Sequence, residues 1–187
     1  EVCVHHLHFT ADDYDQLGYK IKCNPAIKSA NNKKALWKAL LDNKLDIIAT
    51  DHAPHLLSEK EPPYEKAHAG LPLVQHALPL MLYYNSLGYI SLEKIAEKMS
   101  HAVADCFNIR ERGYIREGYF ADLALVDLNH GYTVNKENIL YKCGWSPLEG
   151  FSFPARVTHT MVSGNMVYEN NMVNESYRGK RLLFNRN

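Results

Sequence analysis

At 187 residues, with 46% hydrophobic and 22% charged side chains, the chain has the make-up of an ordinary globular protein of one domain or one and a half. Lys plus Arg and Asp plus Glu both number 21, so no basic excess argues for nucleic acid as a partner. No apolar run reaches the length of a membrane span and no signal peptide opens the sequence, which sets a membrane partner aside and makes the expected location cytoplasmic.

Residues 1 to 10 alternate and are partly β-branched or aromatic, which predicts a strand with His5, His6 and His8 near its end. The chain opens without Met and apparently in mid-strand, so it is expected to begin inside a longer protein. Residues 11 to 17 read as an acidic loop or short helix, and 19 to 23 as a second short strand closed by Asn24-Pro25. Ala35, Leu36, Ala39 and Leu40 give residues 31 to 43 a helical apolar face. A third strand covers 46 to 50, and a long loop rich in Pro, Glu, Lys and His runs from Asp51 to Gly70; loops of that length usually carry function. Residues 71 to 87 predict an apolar helix with Pro72 in its first turn, and 91 to 99 a helix capped by Ser91 with Glu93, Lys94, Glu97 and Lys98 outside. A short helix at 102 to 107 closes this half. Beyond Gly113 the pattern changes to a turn and then a strand within 118 to 127, and further strands at 132 to 134, 155 to 163 and 166 to 169, with Ser163-Gly164-Asn165 as a hairpin turn and the last two residues, Arg186 and Asn187, frayed. Cys3, Cys23, Cys106 and Cys143 are too widely spaced for a disulfide frame or zinc knuckle and read as reduced thiols.

The chemistry concentrates in Ala49-Thr50-Asp51-His52-Ala53-Pro54-His55, where an apolar strand ends abruptly in an acid and two imidazoles. A carboxylate at the C-terminal end of a parallel strand is where α/β barrels keep their chemistry. Asp51 suits a metal ligand and a general base; a turn aspartate before Pro is the plainer alternative. His5 and His6 would face opposite sides of a strand, so one at most enters a shared site, and an isolated His pair is more often a polar strand end. One His and one Asp make only part of a catalytic zinc site, which needs about three protein ligands. Asn24 offers a donor and an acceptor at a strand tip, or caps a turn. His55 could meet a substrate carboxylate and the Ala69-Gly70 backbone could approach a ligand closely; surface and hinge roles are the alternatives. His52, Lys60, Lys66 and His68 make the loop locally basic, while Trp37, Tyr83, Tyr84, Trp145, Phe151 and Phe153 read as core or interface aromatics.

Four segments carry a family resemblance: residues 1 to 7 (Glu-Val-Cys-Val-His-His-Leu), 22 to 28 (Lys-Cys-Asn-Pro-Ala-Ile-Lys), 49 to 55, and 65 to 70 (Glu-Lys-Ala-His-Ala-Gly). Over nearly its whole length the chain resembles the C-terminal half of the dihydroorotases, cyclic amidohydrolases of the metal-dependent amidohydrolase superfamily. The resemblance implies the C-terminal part of a (β/α)8 TIM-type barrel over residues 1–112, holding strands six to eight, and part of a small β-sandwich over 113–187. It implies zinc, one or two ions, with His5 and Asp51 as metal ligands, Asp51 also as catalytic base and acid, and Asn24, His55, Ala69 and Gly70 as substrate contacts. The implied reaction is the reversible cyclisation of N-carbamoyl-L-aspartate to L-dihydroorotate in pyrimidine synthesis.

The family's first-strand His-x-His pair, bridging Lys or Asp, strand-five His and carboxylate-clamping Arg and Asn would all lie upstream of Glu1. The chain is therefore expected to be an incomplete fragment, inactive alone, that pairs with a missing N-terminal half; a homodimer or aspartate transcarbamoylase are further expected partners. Val4, His68 and Val103 stand where the family often has Pro. Two alternatives stay open: a hydantoinase- or dihydropyrimidinase-like enzyme acting on another cyclic ureide, and a non-catalytic subunit that scaffolds aspartate transcarbamoylase.

Overall fold

The computed structural model describes residues 1–169 and 171–185; the expected fraying of Arg186 and Asn187 lies outside the described residues. The chain forms two compact units, one of Glu1–Met81 with Thr133–Ser152, the other of Leu82–Tyr132 with Phe153–Asn187. They interleave along the sequence, so the chain passes between them three times.

In the first unit, strand β1 (Val2–Cys3) pairs in parallel with β2 (Ile48–Ala49), matching Val2 to Ile48 and Cys3 to Ala49. Both strands are shorter than the sequence predicts. The expected strand over residues 1 to 10 stops at Cys3, and helix α1 (Val4–His8) follows immediately. The reason is tertiary. α3 (Ala30–Leu41) lies against α1, and its Trp37 Nε1 donates to Leu7 O at 2.9 Å while Lys33 Nζ donates to His8 O at 2.8 Å. Those side chains satisfy carbonyls that a helix end leaves open. Apolar Val4 and Leu7, both fully buried, give the turn its inward face.

The strand expected at 19 to 23 does not form either. A 3₁₀ turn over Gly18–Ile21 follows α2 (Tyr14–Leu17), and Lys22 then extends the chain towards a cis Asn24–Pro25 peptide. Within the long loop, α4 (Leu57–Lys60) adds one helical turn. The apolar helix predicted from residue 71 begins later. Leu71 to Leu73 are non-helical, a 3₁₀ turn spans Val74–His76, and α5 (Ala77–Ser86) carries Pro79, not Pro72, in its first turn.

In the second unit, α6 (Leu92–Ala96) starts at Ser91, whose hydroxyl accepts from Lys94 N at 3.1 Å, as the capping pattern predicts. A π-helical turn (Glu97–His101) leads into α7 (Ala102–Cys106). Lys94 bonds Glu97 at 2.7 Å on the surface, but Lys98, expected outside, is buried. The sheet is antiparallel in the order β3 (Leu123–Asp127), β6 (Arg156–Val162), β7 (Asn165–Glu169), β8 (Met172–Val173). Short strands β4 (Tyr132–Thr133) and β5 (Ser152–Phe153) mark two of the passages between units. The β6–β7 hairpin closes through Ser163 and Gly164, both at positive φ, as the two-residue turn demands. Buried Arg112 braces this unit: it pairs with Asp122 and donates to Ser163 Oγ at 3.1 Å.

Candidate metal and substrate site

The two parallel strands set the geometry, because the chain leaves the same end of each and delivers His5 from one and Asp51 from the other. His5 is 1% exposed, and neither ring nitrogen has a hydrogen-bond partner. A buried polar atom without a partner costs free energy, so such a group calls for a ligand. Burial, reinforced by the neighbouring His6, pushes the His5 pKa down to about 3. The imidazole is therefore neutral near pH 7, the state in which it can bind a metal.

His6 does not point away, as it would from a strand. Successive residues on α1 turn by roughly 100° instead of 180°, and the His5 and His6 rings lie 4.2 Å apart. His6 Nε2 donates to Pro25 O at 2.9 Å. A carbonyl only accepts, so this fixes the tautomer and leaves Nδ1 as the nitrogen with a lone pair. Cys3, two residues before His5, completes the cluster: the ligand atoms of Cys3, His5 and His6 all lie within 4.8 Å of one another. Desolvation, with Asp51 as the next cause, raises the Cys3 thiol to about 11; Cys23 is raised likewise, mainly by burial. The Asp51 charge is thus felt at both thiols. The His5 and His6 imidazoles are donors that zinc accepts, and with the Cys3 sulfur they lie close enough to share one ion; the cluster does not include Asp51.

Asp51 is exposed and takes a left-handed backbone, φ 45°. Asp is among the few residues that tolerate this conformation, which turns the chain sharply after β2. Asn24 is also exposed, on the turn that follows Lys22, not on a strand tip. His55 is half-buried. Its Nδ1 lies 3.8 Å from Glu59 Oε2, its ring is tilted by 33° against that of His68 with centroids 4.8 Å apart, and its carbonyl accepts from Trp145 Nε1 at 2.8 Å. Ala69 is half-buried and Gly70 buried.

The Gly70 backbone differs from expectation. Its N–H, expected to face a ligand, already donates to Lys22 O at 2.9 Å, and its carbonyl accepts from Lys60 Nζ at 2.9 Å. What glycine supplies is conformation and space: φ is 138°, and a Cβ would stand 2.5 Å from Ala53 Cβ. The basic loop is also thinner than it reads. Lys60 is fully buried, and His52 Nδ1 accepts from Leu73 N at 3.0 Å and Val74 N at 3.3 Å, capping the turn that follows. Lys66 and His68 remain exposed.

Two features go beyond the sequence: Cys3, read there as a plain thiol, lies beside His5, and Lys60, read there as part of a basic loop, is buried. The i, i+2 spacing of Cys3 and His5 was the available signal for the first. A cavity of about 510 Å³ lies elsewhere in this unit, between the α1 end at His8, Asp13, Lys33 and the 147–151 segment, and holds none of the expected site residues.

The model of the amidohydrolase family matches residues 2–167. The chain belongs to the amidohydrolase family. Among its relatives, a dihydroorotase from Pyrococcus furiosus is 36% identical over 183 residues, covering 98% of this chain and 42% of the relative. An allantoinase from Desulfitobacterium hafniense is 32% identical over 184 residues, covering 97% and 41%. The solved L-hydantoinase (dihydropyrimidinase) from Arthrobacter aurescens superposes with a TM-score of 0.84 at 30% identity, covering 91% of this chain and 39% of that one. The chain thus spans about two-fifths of the length of the curated relatives it matches. Its fold is the C-terminal part of an amidohydrolase (β/α)8 barrel with part of the small β-sandwich. No helix among the described residues is long and apolar enough to cross a membrane.

Proposed function

We propose that this amidohydrolase chain is the C-terminal portion of a zinc-dependent dihydroorotase, which interconverts N-carbamoyl-L-aspartate and L-dihydroorotate in pyrimidine synthesis in the cytoplasm. The observation that carries the reading is His5: buried, neutral, with both nitrogens unpartnered, in the helical turn directly after β1, the strand that pairs with the one leading to Asp51. The dihydroorotases among the relatives support the substrate class. Their greater length supports a missing N-terminal part that brings the remaining metal ligands. On this reading residues 1–112 belong to the barrel and 113–187 to the sandwich.

His5 and Asp51 would hold the metal. Zinc bound there would supply a polarised amide carbonyl and an acidified water. Asp51, exposed at the strand end, takes the proton from the attacking water and hands it to the ring nitrogen as the amide C–N bond breaks. In the ring-closing direction the same carboxyl runs these transfers backwards. His55 and Asn24 contact the substrate's carboxylate and ureide edge, and the Ala69-Gly70 segment shapes the wall beside them.

The test is Asp51→Asn in the full-length protein, assayed with dihydroorotate and carbamoyl aspartate. Loss of at least a thousandfold in kcat with an unchanged circular dichroism spectrum is expected; near-normal turnover would refute the role of Asp51. The allantoinase relative and the hydantoinase structure favour one other reading, hydrolysis of a different cyclic ureide. Faster turnover of hydantoin or allantoin than of dihydroorotate by the wild-type protein would establish it instead.

A further inference from the structure

Lys60 is an unusual lysine. It is 0% exposed, and its ammonium is held by backbone carbonyls, not carboxylates: His68 O at 2.8 Å, Gly70 O at 2.9 Å and Lys22 O at 3.2 Å. Three donors meet three acceptors, which is the full capacity of an ammonium group. Burying a lysine is costly unless its charge is matched, and burial pulls its pKa down to about 8.

The three carbonyls are not neighbours in sequence. Lys22 O lies 38 residues before Lys60, two positions ahead of Asn24, and also accepts the Gly70 N–H. His68 O and Gly70 O flank Ala69. On its own helix, Lys60 follows Glu59, whose carboxylate accepts from Leu56 N at 2.7 Å and whose carbonyl accepts from His68 N at 3.2 Å. The Lys60 ammonium also lies 6.0 Å from the Trp145 ring that holds the His55 carbonyl. One buried cation therefore joins the segment bearing Asn24, the loop end at Ala69-Gly70 and the helical turn after His55.

The geometry points to Lys60 as a positioning residue that holds the substrate-contacting loops in register, with no contact of its own to substrate. This deepens the dihydroorotase reading and rests on it for the identity of the substrate, but not for the existence of the clamp. An ammonium with a flexible stem suits three carbonyls converging on a point, whereas a planar guanidinium does not.

The experiment uses Lys60→Met and Lys60→Arg in the full-length protein, with two readouts. Hydrogen exchange should show the His68 and Gly70 amides exchanging at least tenfold faster in Lys60→Met, while amides of α3 keep their protection. Kinetics should show KM for dihydroorotate raised about tenfold with kcat within threefold, and Lys60→Arg falling between; a merely structural role would lower the amount of active enzyme and leave KM alone. If Lys60→Met does not fold, Lys60→Arg is read by the same two measures. Unchanged exchange at His68 and Gly70, or an unchanged KM beside faster exchange, would overturn the proposal. A wild-type protein that ignores dihydroorotate would overturn the substrate reading, and the exchange rates would still decide the clamp.

Discussion

His76 shows how much a single buried imidazole can say about stability. It is fully buried, its Nδ1 within 3.2 Å of both Tyr141 Oη and Ser146 Oγ, and burial lowers its pKa to about 4. Below its ordinary pKa of about 6.5 the unfolded chain takes up a proton that the folded chain refuses. Stability is then fully present above about pH 6.5 and drains as pH falls towards 4, at up to about 1.4 kcal/mol per pH unit from this group. Urea denaturation of the full-length protein between about pH 7 and pH 5 should show a shallower pH slope in His76→Gln than in the wild type; equal slopes would contradict the assignment. At this scale the sequence was informative about residue type and less so about state. The Asp-His-Ala-Pro-His string marks Asp51 and His55 as candidates by residue type, while a turn aspartate and a surface histidine fit the same string locally. The burial of Lys60 could not be read, since its acceptors include a carbonyl 38 residues away.

Between elements, α1 carries the argument. Alternating apolar and polar residues at 1 to 10 fit a strand locally, yet the chain turns helical at Val4 because α3 offers Trp37 and Lys33 to its last carbonyls, across separations of 30 and 25 residues. That choice decides the site, as it brings His6 round beside His5. Trp37→Phe removes the donor to Leu7 O while keeping most of the ring, and should cost about 1–2 kcal/mol, read as a lower urea midpoint with an unchanged slope on denaturant. No shift in that midpoint would mean that the Trp37 bond does not hold α1. Helices with a clear apolar face or cap, α3 and α6, were legible in advance, as was the Ser163-Gly164 turn. Elements whose ends depend on distant partners, such as Leu71 to Leu73 around His52, were not.

Across the whole molecule, apolar surface is left open. Ile115 is 88% exposed, Met172 69%, and Phe107 54%, and the parallel sheet consists of two strands of two residues each. An eight-stranded barrel cannot close from two such strands, and exposed edges and apolar patches invite association. The 187-residue chain purified alone should self-associate on sedimentation, bind a hydrophobic dye and fail to turn over carbamoyl aspartate. A monomeric, well-folded and active fragment would contradict the reading of the chain as one portion of the enzyme.

The interleaving of the two units also has a consequence in time. The His55 carbonyl is held by Trp145, 90 residues further on, and the first unit is complete only with Thr133–Ser152. At a synthesis rate of about 5–20 residues per second, the loop around His55 emerges roughly 5 to 20 s before the indole that anchors it. A chain that ends anywhere between residues 71 and 144 therefore carries that loop without its Trp145 anchor.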